Sequence, residues 1–244
     1  MLFRSDLAAS LDASTAAVII EPMCYETFER ASPEFMAEVY RLCRDRGVLV
    51  IMDETRTGLG RTGTMWAAEA FAGAPDLLIT GKGLSGGIYP VSACVMTEGL
   101  YESCVNAHEY GYASSLAGNE LACLVAARVL ELSSEPALLG NVRNRAKQAL
   151  QSIAVLTRRY QGVFLGGDAN GLAIHIRLQS AEFAEALNLA CVNAGLLCHS
   201  VSRSRGPMIK LMPPLVIDEA TLSDVFSRLE AAMIKVLDTN ASQP

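Results

Sequence analysis

The chain has 244 residues, of which 51% are hydrophobic, and it carries a formal net charge of −6 at pH 7. This length allows one large domain or two small ones, with a sizeable buried core. The acidic balance, without long runs of either sign, argues against nucleic acid or a membrane surface as the main partner. The apolar runs are too short to cross a bilayer, and the start lacks the layout of a signal peptide. We therefore expect a cytoplasmic protein.

The first half of the chain alternates between helical and strand patterns. Residues 2 to 12 predict a short helix, and the segments AAVIIEP, VLVIMDE and APDLLITGK predict three buried strands. Between the first two strands, a helix is predicted with Ser32 as N-cap, Pro33 in its first turn and Gly47 as C-cap. Apolar strands that alternate with helices are typical of a parallel sheet covered on both faces. The predicted fold class is therefore α/β, with a mostly parallel sheet sandwiched by helices.

The second half of the chain changes its pattern. Residues 91–96 predict a further strand, reached through a glycine turn without an intervening helix, and two helices follow in GNELACLVAARVLELSSE and PALLGNVRNRAKQALQSIAVLTRRY. Beyond them come strands, a helix capped by Ser180, more strands and a closing helix. This change predicts two domains, with residues 1–155 as a large α/β domain and residues 156–244 as a small α+β domain.

The cysteines and histidines predict neither disulfides nor a metal site. There are seven cysteines, an odd number, and no C-x-x-C pair occurs among them. Most of them lie in apolar segments, so we expect reduced, buried thiols. The three histidines do not have the spacing of metal ligands.

A lysine stands at the end of the third predicted strand, in the segment PDLLITGKGLSGG. Its surroundings match the dinucleotide pattern G-x-G-x-x-G, but a strand follows the glycines where that site needs a helix. Lys82 and Asp53 both end apolar strands of one predicted sheet, and ligands of open α/β sheets bind at the carboxyl ends of the strands. Taken alone, Lys82 and Asp53 would each be explained as a solvent-exposed residue that caps the end of its strand. Together they suit a cofactor that forms an imine with lysine and has a pyridine nitrogen that a carboxylate keeps protonated.

Four motifs, in this order and spacing, carry a family resemblance: VIIEP, VLVIMDETRTGLGRTG, PDLLITGKGLSGGIYPVSA and AGNELAC. They resemble the class III, fold-type I pyridoxal-phosphate aminotransferases, and GKGLSGGIYPVSA is especially similar to the ornithine aminotransferase branch. The resemblance extends from AAVIIEP to the final helix. It implies pyridoxal 5'-phosphate as the cofactor, an amine or amino acid and a keto acid as substrates, and a homodimer with shared active sites.

The resemblance also implies roles for individual residues. Lys82 matches the Schiff-base lysine, and Asp53 matches the partner of the pyridine nitrogen. Ser115, with Ser114 beside it, matches the position whose hydroxyl reaches the cofactor phosphate of the neighbouring subunit. Glu26 and Lys210 match an acid–arginine pair, which predicts that they lie close together and select substrate carboxylates. Two unrelated surface charges would be the alternative.

Three positions depart from the family pattern. Arg56 stands where a glutamine is usual near the ring hydroxyl of the cofactor, Glu120 replaces a proline, and Lys210 replaces the arginine. Lysine lacks the planar fork that binds a carboxylate through two hydrogen bonds. These departures argue against ornithine as the specific substrate and leave the core chemistry in place.

Class III enzymes have a long segment before the strand that matches AAVIIEP. That segment includes a glycine/serine loop at a helix N-terminus, which holds the phosphate within its own subunit. We therefore expect the sequence to be a fragment, a truncated reading frame or half of a split enzyme. Alone, it is expected to bind the cofactor weakly, to show little transaminase activity and to have low solubility.

The predicted function is transamination through an imine on Lys82. The alternatives are an aminomutase or racemase on the same scaffold, or a catalytically incompetent piece that needs a partner chain.

Overall fold

A computed structural model describes residues 2–107, 115–203 and 206–241. The chain forms two compact units, each assembled from several segments. The first unit comprises Met1–Tyr25, Glu29–Leu59 and Thr64–Ser134, and the second comprises Glu26–Phe28, Gly60–Gly63 and Glu135–Pro244. Every helix in the described residues is too short or too polar to span a bilayer.

The first unit contains a four-stranded sheet in the order β1-β2-β3-β4. Strands β1 to β3 are parallel, which confirms the prediction of a mostly parallel sheet, and β4 is antiparallel to β3. The connection between β3 and β4, residues 81–92, contains the single 3₁₀ turn Lys82–Ser85 and no α-helix, whereas parallel neighbours are usually joined by a helical crossover. The strands are β1 (Ala17–Ile20), β2 (Leu49–Asp53), β3 (Leu77–Thr80) and β4 (Ala93–Met96).

Helix α2 of the first unit begins and ends where the sequence predicts. The Ser32 hydroxyl accepts a hydrogen bond from the Phe35 amide at 3.1 Å, and Gly47 ends the helix in the left-handed conformation with φ 67°. The predicted first helix is shorter than expected, and the sequence analysis did not predict α3. The helices are α1 (Leu2–Ser10), α2 (Pro33–Arg46), α3 (Glu98–Ala107) and α4 (Glu120–Ser133).

The second unit is an antiparallel sheet with three helices. Its strand order is β5-β6-β8-β7, and all neighbouring pairs are antiparallel. The elements are α5 (Pro136–Arg159), β5 (Phe164–Asn170), β6 (Ala173–Leu178), α6 (Ala181–Asn193), β7 (His199–Arg203), β8 (Gly206–Leu211) and α7 (Glu219–Ala241).

The division between the units falls before α5, whereas the sequence predicted a boundary after residue 155. The apolar face of α5 explains the difference. Val142, Ala149 and Ile153 on this face are buried in one cluster with Phe164 of β5 and Leu229 of α7. A helix belongs to the core that buries its apolar face, and helical periodicity alone does not show which core that is.

The cysteine prediction was partly wrong. All seven thiols are free, and Cys43, Cys191 and Cys198 are buried as expected. Cys94 of β4 and Cys123 of α4, however, are exposed. A cysteine in an apolar segment has apolar neighbours along the chain, but tertiary packing decides whether the face of the strand or helix that carries it is buried. Among the described residues, no cluster of histidine, cysteine and acidic side chains could hold a metal ion.

The short segment Gly60–Gly63 is fixed firmly within the second unit. The guanidinium of Arg61 donates to the carbonyl oxygens of Leu172, at 3.1 Å, and Pro213, at 2.6 Å. The Leu172 amide donates in return to the Arg61 carbonyl at 2.9 Å. Gly171 has φ +59°, and a Cβ there would lie 2.1 Å from the Arg61 oxygen. Burial lowers the pKa of Arg61 to about 10, since the charged guanidinium loses hydration.

Candidate active site

The ends of β2 and β3 bring two of the predicted site residues to one edge of the sheet. Asp53, the last residue of β2, pairs in register with Ile79, and the amide of Glu54 donates to the Ile79 carbonyl at 2.9 Å. After β3 and Gly81, Lys82 is the first residue of a single 3₁₀ turn, Lys82–Ser85. Because the two strands are parallel neighbours, the segments after them leave the sheet on the same side.

The backbone at Lys82 is in an unusual conformation. Its φ is 46°, in the left-handed region that non-glycine residues adopt rarely. The hydroxyl of Ser85 donates to the Lys82 carbonyl at 2.7 Å and so closes the turn. Residues held in this region cost about 1–3 kcal/mol and cluster at functional sites. The strain supports the interpretation of Lys82 as a functional residue over that of a simple capping residue.

The environment of Lys82 lowers the pKa of its amine. Partial burial lowers the pKa of its amine most, and the positive charge of Arg56 lowers it further. The carboxylates of Asp53 and Glu21 act in the opposite direction. Since the side chain remains largely exposed, solvent screens these interactions. The neutral amine is the form of lysine that acts as a nucleophile or a general base, and a lowered pKa increases its fraction at a given pH.

Arg56 lies on an aromatic ring. Its guanidinium carbon is 3.4 Å from the centroid of the Tyr25 ring, a cation–π contact. The amide of Tyr25 donates to the Glu21 carboxylate at 3.0 Å, which ties the residues after β1 to this stack. Sequence reasoning did not find Tyr25, because nothing in its local pattern links it to a turn that follows another strand.

Glu54, next to Asp53, organises the chain after β2. It is 1% exposed, and its carboxylate accepts hydrogen bonds from the Thr57 hydroxyl and, at 2.7 Å, from the Ala68 amide. Its carbonyl accepts from the Gly58 amide at 3.0 Å. Asp53 itself is half-buried and accepts from the Thr55 amide at 3.0 Å. Asp53 therefore lies at the sheet edge, while the buried Glu54 fixes the turn that carries Arg56.

A cavity of about 630 Å³ adjoins Lys82. Its volume is typical of small-molecule sites, and its wall combines hydroxyl groups with apolar side chains. It is lined by Lys82, Ser85, Gly87, Ile88, Tyr89, Pro90, Val91 and Ser92. An amine with a lowered pKa, a carboxylate at the neighbouring strand end and a cavity of this size fit a lysine-bound pyridine cofactor.

The predicted phosphate-contacting serines lie near the start of α4. Ser115 is exposed, and Ser114 lies outside the described residues. Asn119 caps α4, with its side-chain oxygen accepting from the Ala122 amide at 3.2 Å. Glu120 thus occupies the first helical position, where a carboxylate interacts favourably with the helix dipole. The Asn119 cap and the Glu120 carboxylate therefore stabilise the start of α4 in place of the proline that is usual in the family.

Glu26 and Lys210 both belong to the second unit. The ammonium of Lys210 donates to the main-chain carbonyl of Glu26 at 3.4 Å and lies 4.9 Å from the centroid of the Phe28 ring. Lys210 is only 2% exposed, whereas Glu26 is exposed. The structure brings the two residues together through the backbone of Glu26. Phe28 has φ 58°, and its ring is 4.9 Å from that of His175.

The fold and the site define an α/β protein with a lysine-centred site at the carboxyl edge of a parallel sheet. The model of the class III aminotransferase family matches residues 4–233. The chain therefore belongs to the class III aminotransferases, as the motifs predicted. Enzymes of this family depend on pyridoxal phosphate.

Several relatives have aminotransferase names. An uncharacterized aminotransferase from Archaeoglobus fulgidus is 34% identical over 225 residues, which are 92% of this chain and 52% of that protein. Ornithine aminotransferase 1 from Staphylococcus saprophyticus is 33% identical, over 86% of this chain and 51% of that protein. This chain spans about half the length of these relatives.

Solved structures show the same fold. The ornithine delta-aminotransferase of Plasmodium falciparum superposes with a TM-score of 0.85 at 25% identity, over 97% of this chain and 61% of that one. The ornithine aminotransferase of Toxoplasma gondii superposes with a TM-score of 0.83 at 27% identity, over 98% of this chain and 56% of that one. The latter structure contains pyridoxal phosphate at partial occupancy in its active site.

Proposed function

We propose that this chain carries the lysine-bearing part of an aminotransferase that moves an amino group from an amine or amino acid to a keto acid. The observation that carries the proposal is the placement of Lys82 and Asp53 at the ends of the parallel neighbours β3 and β2. Membership of the class III family supports it. The reaction takes place in the cytoplasm, in keeping with the composition of the chain.

Lys82 and Asp53 would hold the cofactor from two sides. Lys82 would hold the aldehyde end of pyridoxal phosphate through its side-chain nitrogen, and Asp53 would hold the ring nitrogen and favour its protonated form. The bound cofactor supplies the electron sink that stabilises negative charge on the substrate carbon. The neutral Nζ of Lys82 accepts a proton from the substrate carbon and returns it as the amino group moves.

The phosphate group would be bound between two copies of the chain. Ser115 is exposed before the capped start of α4, so its hydroxyl is available to a second subunit. Ser114 is proposed to assist it. This arrangement requires a homodimer with shared sites, or a partner chain that contributes the remaining donors.

Glu26 and Lys210 are proposed to influence the selection of substrate carboxylates. The buried ammonium of Lys210 already contacts the Glu26 carbonyl and the Phe28 ring, and lysine is a point charge without the bidentate geometry of arginine. We therefore expect poor discrimination between α-amino acids and simple amines. A strong kinetic preference for an α-amino acid that disappears in Lys210→Ala would contradict this expectation.

The cofactor proposal is tested by trapping the bond to lysine. The purified protein is incubated with pyridoxal phosphate, reduced with borohydride, digested and mapped by mass spectrometry. The label is expected on Lys82, and Lys82→Arg serves as the matched control that should remain unlabelled. A label confined to another lysine, or equal labelling of the variant, would reject the assignment. Amino transfer from a panel of amines to keto acids then tests the reaction itself.

A further inference from the structure

Lys210 lies on the face of the second unit's sheet that points away from the helical core. Its neighbours in β8, Ile209 and Leu211, are buried in the core cluster with residues of α5, α6 and α7, and side chains alternate between the two faces of a strand. In register, Lys210 has His175 of β6 on one side and His199 of β7 on the other. Cross-strand partners are close neighbours on one face of a sheet, so two histidines flank the Lys210 stem.

Phe28, which belongs to the same unit, covers this face above Lys210. Its ring centroid lies 4.9 Å from the Lys210 Nζ and 4.9 Å from the centroid of the His175 ring. Phe28 is 4% exposed and Lys210 is 2% exposed, whereas His199 in the same cross-strand row is exposed to solvent. Phe28 therefore forms a wall around the ammonium that the sheet alone does not provide.

The backbone holds Phe28 in this position. Its φ is 58°, in the left-handed region, which is an outlier for a bulky side chain. The Cys24 amide donates to the Glu29 carbonyl at 2.9 Å and closes the loop that contains Phe28. In the same loop, the Glu26 carbonyl accepts from the Lys210 ammonium at 3.4 Å. Strained residues persist only where the surrounding structure determines their conformation, and they cluster at functional sites.

We propose that Phe28 is a specificity-determining residue that keeps the Lys210 ammonium enclosed and so withholds it from substrate carboxylates. The inference rests on the proposed function, because it takes Lys210 as the cation that selects carboxylates. An ammonium binds a carboxylate strongly only at hydrogen-bond distance, and the ring and the Glu26 carbonyl occupy part of that space around Nζ. The favoured amino donors are therefore amines without an α-carboxylate.

The first measurement follows the accessibility of the Lys210 amine in the protein without cofactor. Brief acetylation with acetic anhydride, completed after denaturation with heavy-isotope reagent, gives the relative reactivity of each lysine by mass spectrometry. The exposed Lys147 and Lys235 of the same unit are internal references, and Lys210 is expected to react several-fold more slowly than either. Because no cofactor is present, the result does not depend on whether the protein catalyses transamination.

Matched variants separate the cover from general stability. Phe28→Ala is expected to raise the reactivity of Lys210 several-fold, because it removes the wall over Nζ, whereas Phe28→Leu retains an apolar cover and should stay close to the wild type. Phe183→Leu, in the helical core of the same unit, is the control for general loosening, and all variants are labelled well below their unfolding midpoints. An unchanged Lys210 in Phe28→Ala, or an equal increase in Phe183→Leu, would overturn the inference.

The second measurement compares two amino donors that differ only in the carboxylate, L-phenylalanine and 2-phenylethylamine. Phe28→Ala should lower the KM for phenylalanine several-fold and leave the kinetics of the amine unchanged, and adding Lys210→Met should abolish this shift. If Lys210 becomes reactive in Phe28→Ala while the ratio of the two kcat/KM values stays constant, the assigned effect on specificity is wrong. If the wild type transfers from neither donor, the proposed function fails, and acetylation still decides whether Phe28 encloses Lys210.

Discussion

Lys82 and Lys210 are the same residue type in opposite surroundings. Lys82 follows a strand in a left-handed turn, is largely exposed, and lies near Asp53 and Arg56. Lys210 lies within strand β8, is 2% exposed, and its ammonium contacts a carbonyl oxygen and an aromatic ring. Lys82 has charged neighbours and a solvent-exposed side chain, whereas the side chain of Lys210 is enclosed by its own strand and its contacts.

The difference shows that the burial of a lysine and the charges around it are separate properties. A buried ammonium that has a carbonyl acceptor and a ring face beneath it can remain charged inside a protein. A fixed cation nearby lowers the pKa of an exposed amine. The left-handed turn and the charged neighbours, rather than the exposed fraction alone, therefore distinguish Lys82 from Lys210.

The largest effect is expected from exchanging each lysine for arginine. Lys82→Arg should reduce transamination by about 10³-fold or more, because guanidinium neither forms the imine nor accepts a proton at neutral pH. Lys210→Arg should retain most of the activity. Steady-state rates of the two variants, measured side by side, provide the check. Comparable losses in both would remove the functional distinction between the two lysines.

Asp53→Asn is expected to have the next largest effect. The cofactor should still bind, but turnover should fall by about 10²-fold, since a neutral amide cannot stabilise the proton on the ring nitrogen as a carboxylate does. Cofactor absorbance and turnover are measured on the same sample. Near-normal turnover would show that another acid, such as Glu54, has this role.

The stability of the second unit offers a test of Lys210. Lys210→Ala removes a buried stem and leaves a cavity, so it should cost about 2–4 kcal/mol of the free energy of unfolding. Lys210→Met fills the same space without a buried charge and should cost about 1 kcal/mol or less. Denaturant unfolding of the two variants measures the difference. Equal destabilisation would show that the charge itself, and not the packing of the stem, supports the unit.

A matched pair of helix caps compares the two units at a smaller scale. Ser32 caps α2 in the first unit and Ser180 caps α6 in the second, each accepting a hydrogen bond at 3.1 Å from the amide three residues on. Ser32→Ala and Ser180→Ala should each cost about 1 kcal/mol. Hydrogen exchange in each helix locates the effect, and a loss confined to one variant would mean that only that unit relies on its cap.

The smallest effect concerns the pH dependence of stability at Glu54. Burial raises the pKa of this carboxyl above its ordinary 4.5, against the hydrogen bonds from Thr57 and Ala68. The stabilisation from protonated Glu54 is therefore complete below pH 4.5 and is lost as the pH rises through the raised pKa. Glu54→Gln should remove this decline, so the variant gains stability relative to the wild type from pH 4.5 upwards.

Thermal unfolding at a series of pH values measures this slope. Glu131→Gln, at the exposed surface pair on α4, is the control and should follow the wild type. If the stability of Glu54→Gln changes with pH in the same way as that of the wild type, Glu54 does not titrate in this range.

The sequence by itself determined much of the first unit. Ser32, Pro33 and Gly47 are local signals, and the start and end of α2 follow from them because capping depends on neighbours along the chain. The apolar runs of β1 to β3 likewise predict buried parallel strands. Lys82 and Asp53 were found because parallel strands bring their carboxyl ends to one edge.

Only the tertiary structure decided the rest. The pairing of β4 with β3, the unit to which α5 belongs, the stacking of Arg56 on Tyr25 and the burial of Lys210 all depend on residues far apart in the chain. No local pattern encodes such contacts, because the same residue types would fit an exposed turn or strand equally well. The physical reason is that propensity and capping are properties of neighbours in sequence, whereas burial and electrostatics are properties of neighbours in space.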